Sequence, residues 1–183
     1  DPYHIRYYRI GFDGNGLTDL TPERGTHKAW FSRDMQYLVD VYSTANDAPV
    51  TVLRDAKDGH AVMTLETADI TRLEAEGWRA PEVFAAKGRD GKTDMWGLII
   101  RPTHFDPSKK YPILEYIYSG PGDHYVPKSF FSFNRYMSAI AELGFIVLPE
   151  RAAISGKIAV TARVTDSRGY YTEIEKEALV EYL

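Results

Sequence analysis

The chain has 183 residues, about one domain or one and a part, and at 44% hydrophobic and 26% charged it has the composition of an ordinary globular protein. A net charge of −4 leaves no global basic field for nucleic acid, and the longest apolar runs, 96–100 and 145–148, are far below the ~20 residues of a membrane helix. The absence of cysteine excludes a disulfide framework, a Cys-ligated metal site and thiol catalysis.

The first residue is Asp1 rather than Met, and no charged-then-apolar leader follows it, so the expectation is a processed protein, an excised piece or a fragment. Thirteen tyrosines, eight phenylalanines and three tryptophans favour strands, where aromatic side chains fit a pleated, half-buried surface. Ile5–Phe12 reads as a strand, and Leu17–Thr21 as its return across the turn Asp13-Gly14-Asn15-Gly16. Trp30–Asp34 leads into the strand Tyr37–Ser43. The break Asn46–Pro49 precedes a partner strand, Val50–Arg54, and Asp55–Gly59 is the next turn. Such spacing predicts an antiparallel meander of the sandwich or propeller kind. A short helix over Ile70–Glu76 interrupts it. Glu82–Lys87, the turn 89–92 and Met95–Arg101 then form one more hairpin.

Past the polar connection Pro102–Lys110 the rhythm changes. Pro112–Tyr118 is a strand ending in Ser119-Gly120-Pro121-Gly122. Ser132–Leu143 carries Phe133, Tyr136, Met137, Ile140 and Leu143 at helical spacing, and Gly144 stands at the C-cap. Phe145–Leu148 is a short apolar strand of the buried parallel type. Strand, loop, helix, strand begins an α/β layer. Beyond Pro149, Lys157–Val164 alternates as a strand, 166–169 turns, and Tyr171–Leu183 reads as a charged amphipathic helix.

Most chemical motifs fail on spacing. Gly91-Lys92-Thr93 lacks the phosphate loop's upstream glycine, the place being held by Ala86, and Gly156-Lys157 fails likewise. Asp13–Glu23 is acidic like a calcium loop but out of register with one. The histidines His4, His27, His60, His104 and His124 show no ligand spacing, so no metal is expected. No Gly-x-Ser-x-Gly elbow occurs, Ser119 lies in the wrong context for a nucleophile, and no catalytic triad can be assembled. What remains is Tyr118 at the carboxyl edge of a core strand, where α/β sheets bind ligands. A phenol there can donate to a developing oxyanion; the plain alternative is a strand-end tyrosine in a tyrosine-rich chain.

The run Asp94-Met95-Trp96-Gly97-Leu98-Ile99-Ile100-Arg101-Pro102, with Phe105–Pro112 and Tyr116-Ile117-Tyr118-Ser119-Gly120-Pro121, resembles the prolyl oligopeptidase family of serine peptidases, most closely its dipeptidyl-peptidase IV-like branch. Upstream, Trp30–Asp34 with 37–40, and Tyr42-Ser43-Thr44 with Pro49–Arg54, look like that family's last propeller blades. The resemblance covers roughly 1–148. It implies a mixed β and α/β fold: an antiparallel meander ending a β-propeller (1–80), then the first part of an α/β-hydrolase sheet (81–148), then a tail unlike the family (149–183, strand plus amphipathic helix). It implies that Tyr118 stabilises the oxyanion. The nucleophilic serine, the aspartate and the histidine have no counterpart here, nor do the glutamates that grip a substrate's amino terminus.

The implied activity is that of a serine exopeptidase releasing dipeptides from peptide N-termini without a cofactor, this chain being inactive alone. The implied partners are a peptide substrate and a second copy in a homodimer of the parent, with no nucleic acid and no membrane segment. Family members are often secreted, periplasmic or membrane-anchored. A non-catalytic β-rich binding or scaffold module, with the tail helix as docking element, is the alternative; an acylaminoacyl-peptidase branch would differ mainly in upstream substrate-gripping elements.

Overall fold

The structure, a computed structural model, describes residues 3–88, 90–118, 126–151, 156–165 and 171–180. The chain forms two compact units, one of Asp1–Ala80 with Pro127–Ser132, the other of Pro81–Val126 with Phe133–Leu183.

In the first unit, β1 (Tyr8–Arg9) pairs antiparallel with β2 (Thr18–Asp19). The longer strand expected over Ile5–Phe12 does not form. Its backbone is shared between two neighbours, the Tyr7 carbonyl accepting from Leu20 N–H and the Ile5 carbonyl from His27 N–H, so no single ladder extends. The main sheet is a four-stranded antiparallel meander in chain order: β3 (Thr26–Phe31), β4 (Tyr37–Ser43), β5 (Val50–Asp55) and β6 (Ala61–Thr67).

Alternation along β4 explains its two faces. Leu38 and Asp40 are buried, whereas Tyr37, Val39 and Val41 are partly or largely open. The register carries this parity across the sheet, with His27, Val52 and Arg54 on the buried side. Strand β6 has no counterpart in the sequence reading. All seven of its residues are exposed, and two register shifts against β5 break its alternation. The short helix α1 (Thr71–Ala75) follows it.

The second unit holds β7 (Glu82–Lys87), β8 (Asp94–Ile99), β9 (Ile113–Tyr118), helix α2 (Arg135–Glu142) and β10 (Ile146–Arg151). Their sheet order is β7-β8-β10-β9: β7 and β8 are an antiparallel hairpin, β10 runs antiparallel to β8, and β9 and β10 are parallel. A parallel pair needs a crossover, and α2 supplies it. The inner face of α2 packs Ala141, Met137 and Ile140 on Ile100, Leu114, Phe145 and Val147. Gly144, at φ 96°, ends the helix in the left-handed conformation that a side chain would strain. Strand β10 runs on past Leu148 to Arg151, through the fully buried Pro149.

Strands β11 (Gly156–Thr165) and β12 (Tyr171–Val180) form an antiparallel hairpin. The amphipathic helix expected over Tyr171–Leu183 is therefore corrected to a strand over its described part. Glu173, Glu175 and Glu177 recur with the period of two that places them on one strand face, and the register sets Glu173 opposite Arg163 and Ile174 opposite Ala162. A nearby complementary strand satisfies the backbone that a lone, charge-rich helix would have to satisfy by itself.

Candidate functional site

Tyr118 is the last residue of β9, the third strand of its sheet in chain order but an edge strand of the described sheet rather than the central one expected, and the chain passes from it through 119–134 into α2. By register its neighbour on the parallel strand is Arg151, the last residue of β10. The carboxyl ends of both parallel strands thus finish side by side. That is where open α/β sheets receive ligands, since the crossover helix begins beyond the same edge. The phenol of Tyr118 and the segment 119–125, including Ser119 and His124, lie outside the described residues.

The first unit contains a second polar constellation, buried beneath the meander. Asp40 accepts from His27 Nδ1 at 3.0 Å and from Arg54 Nε at 2.9 Å. Arg54 donates through Nη1 to the Gly59 carbonyl at 3.1 Å and through Nη2 pairs with Glu23. Nε2 of His27 stands 2.9 Å from the Glu23 carbonyl oxygen. Arg54, Asp40 and His27 are each essentially inaccessible. Tyr42 stacks on the imidazole at a centroid distance of 5.1 Å. Burial and then the Glu23 carboxylate hold its phenol above the usual range.

A histidine between a carboxylate and a second polar group invites a catalytic reading. Here both ring nitrogens are engaged and no solvent path reaches them, so the cluster is a clamp. It ties β3, β4 and β5 to the segment Leu20–Gly25 and to the turn before β6. Charged side chains at inward positions were its sequence signal. Asp40 shares parity with Leu38 along β4, which demands a buried cationic partner.

Among the described histidines, His60 joins Asp55 and Asp58 with ligand-type atoms within 4.8 Å of one another. The two exposed members are already paired, His60 Nδ1 lying 2.7 Å from Asp58 Oδ1. His104 has no place in this grouping.

His4 contacts Thr26 Oγ1 at 3.1 Å, and burial, then the charge of Lys128, press its pKa from 6.5 down to about 4. Lys128 is itself buried, 5.1 Å from the Tyr3 ring centroid, and burial lowers its amine to about 8. A base whose folded pKa is depressed takes up its proton more readily when unfolded. Stability is therefore lost as pH falls from about 6.5 to about 4. Urea midpoints of the chain are expected to drop across that window, and His4→Gln to flatten the drop; an unchanged slope in the variant would assign it to other groups.

No protein-family model matches the chain. Among curated proteins it is 29% identical over 186 residues to the probable dipeptidyl-aminopeptidase B of Emericella nidulans, covering 97% of this chain and 20% of that protein. That span necessarily takes in most of 149–183. To the probable dipeptidyl-aminopeptidase B of Aspergillus fumigatus it is 30% identical over 178 residues, covering 93% of this chain and 19% of that protein. Among solved structures it superimposes on Porphyromonas gingivalis dipeptidyl peptidase 4 with a TM-score of 0.60 and 27% identity, covering 80% of this chain and 20% of that one. The mostly antiparallel β architecture with few helices is shared with that structure. The chain spans about a fifth of the length of the relatives it matches.

Proposed function

Since the chain belongs to the dipeptidyl-peptidase IV-like branch of the prolyl oligopeptidase family, as a segment matching a fifth of its relatives' length, we propose that it joins the end of a β-propeller to the start of an α/β-hydrolase domain in a serine exopeptidase. In this reading 1–80 is the last of the propeller, 81–148 the first of the hydrolase sheet and 149–183 a tail whose strands β11 and β12 pair with each other. The four-stranded meander β3–β6 supports the first part, being the size and order of a propeller blade.

The observation that carries the second part is Tyr118 closing the third strand of a sheet ahead of its first crossover helix. From the loop after that strand, α/β-hydrolases draw half of their oxyanion hole. The proposed chemistry is acyl transfer. A serine supplied by sequence outside this chain attacks the carbonyl of a peptide's second residue, with a histidine taking the proton and an aspartate orienting the histidine. The phenol of Tyr118 donates to the oxygen that gains charge. That bond strengthens as the tetrahedral species forms, so it speeds the chemical step more than it tightens substrate binding. The substrate is a peptide with a free amino terminus, the product its N-terminal dipeptide, and the assembled parent a homodimer.

The test is an assay on a chromogenic Xaa-Pro substrate. The 183-residue chain is expected to show no turnover, because nothing in it matches the attacking group or its base. In the longer polypeptide, Tyr118→Phe is expected to lower kcat by roughly 100- to 1,000-fold with little change in KM. Full activity in that variant would remove Tyr118 from the oxyanion hole.

A further inference from the structure

The connection between β9 and α2 does not stay with the sheet it serves. Pro127–Ser132 belong to the first unit, although the chain up to Val126 and from Phe133 onward belongs to the second. Within the first unit this stretch is held at three points. The Phe130 ring packs on Trp78, tilted by 55° at a centroid distance of 5.4 Å. The Phe130 N–H donates to Oγ of Ser43, the last residue of β4, at 3.0 Å. Lys128, 9% exposed, sets its amine 5.1 Å from the Tyr3 ring centroid. An aromatic pair, a hydrogen bond and a buried cation on a ring make this stretch a fixed point, where an ordinary surface loop is loosely held. Val126 and Asn134, which flank it, are buried as well.

The purpose of such an anchor follows from what precedes it in the chain. Tyr118 closes β9, and residues 119–126 join it to the anchored stretch. On its N-terminal side Tyr118 is fixed by the ladder, since β9 pairs with β10 from Ile113 onward. On its C-terminal side it is fixed by whatever holds the loop. A donor serving a developing oxyanion has to be held to within about 0.5 Å, by residues that are themselves locked in place. A misplacement of about 1 Å, caused far from the chemistry, can cost about 100-fold in rate. We infer that Phe130, seated on Trp78 and bonded to Ser43, is a positioning residue for Tyr118. The first unit holds the far end of the loop, and the loop keeps Tyr118 where its phenol serves the oxyanion. This rests on the role proposed above for Tyr118 and goes beyond it, giving residues of the first unit a part in the rate of the chemical step.

A double-mutant cycle in the longer polypeptide, read on the chromogenic Xaa-Pro substrate, tests this. Phe130→Ala is expected to lower kcat roughly 10- to 100-fold with little change in KM. Made on top of Tyr118→Phe, the same change should cost less than about threefold, because the hydroxyl it positions is already gone. A role confined to folding lowers activity by the same factor whether or not residue 118 carries a hydroxyl. Should Phe130→Ala fail to fold, Ser43→Ala removes only the acceptor of the Phe130 N–H. It is expected to lower kcat about three- to tenfold, again only while the Tyr118 hydroxyl is present. Two results overturn the inference and leave Tyr118 in its role: kcat unchanged by both replacements, or equal losses in the two backgrounds. Full activity in Tyr118→Phe removes the oxyanion reading and this one with it, so the two failures are told apart.

Discussion

Asp40→Ala is expected to destabilise the β3–β6 unit by about 3–5 kcal/mol, read as a fall in the urea midpoint followed by tryptophan fluorescence. Asp40 is the anion between two buried donors, His27 Nδ1 and Arg54 Nε. Removing it leaves the Arg54 guanidinium buried at 1% exposure with only the Gly59 carbonyl and the more peripheral Glu23 to face. The cost is that of a buried charge left with one carboxylate where it had two, not of one lost hydrogen bond. A double replacement distinguishes the two. Asp40→Leu with Arg54→Met removes both buried charges and should cost less than Asp40→Leu alone, because an apolar pair of similar volume needs no partner. Strictly additive effects would mean that the two side chains do not act as a unit.

Gly59→Ala should be nearly as damaging, at about 2–5 kcal/mol, from two separate causes. The residue sits at φ 79°, a conformation that costs an L side chain about 1–2 kcal/mol. A Cβ there would also stand 2.6 Å from the Leu20 Cα and 2.8 Å from the carbonyl oxygens of Asp19 and Leu20. Those are backbone atoms of a packed segment and cannot rotate aside, which adds an overpacking cost of about 1–3 kcal/mol. Gly14, at φ 80°, has nothing within 4 Å of its would-be Cβ, so Gly14→Ala isolates the conformational cost. Thermal melting of the two variants should separate strain from crowding. Equal shifts would show that the segment Leu20–Gly25 yields.

Helix α2 and strands β4, β5, β8, β9 and β10 were legible locally. Each has an apolar repeat of the right period, and the glycine after α2 marks its end. Strand β6 was not, because an exposed edge strand with two register shifts has no clean alternation to read. The tail misled for a related reason. Ile174, Ala178 and Leu179 fit one helix face while Glu173, Glu175 and Glu177 fit one strand face, and only pairing with β11 decides between them. The strand-end position of Tyr118 was visible in the run Ile113–Tyr118 followed by Ser and Gly. The buried clamp was not, since His27, Asp40 and Arg54 each look like an isolated polar residue within a strand.

The sequence by itself determined where β4, β5, β8, β9, β10 and the crossover helix lie, and its motifs around 94–121 carried the family. Those depend on dihedral preferences and apolar spacing within a few residues. Tertiary structure alone decided that β10 enters between β8 and β9. It also decided that Glu23 and Asp40 both pair with Arg54, that His27 bonds to Asp40, and that Gly59 must make room for Leu20. Those outcomes depend on register between segments far apart in the chain, 31 positions for Glu23 and Arg54. That register is fixed only when burying the charges together becomes less costly than leaving any one of them alone.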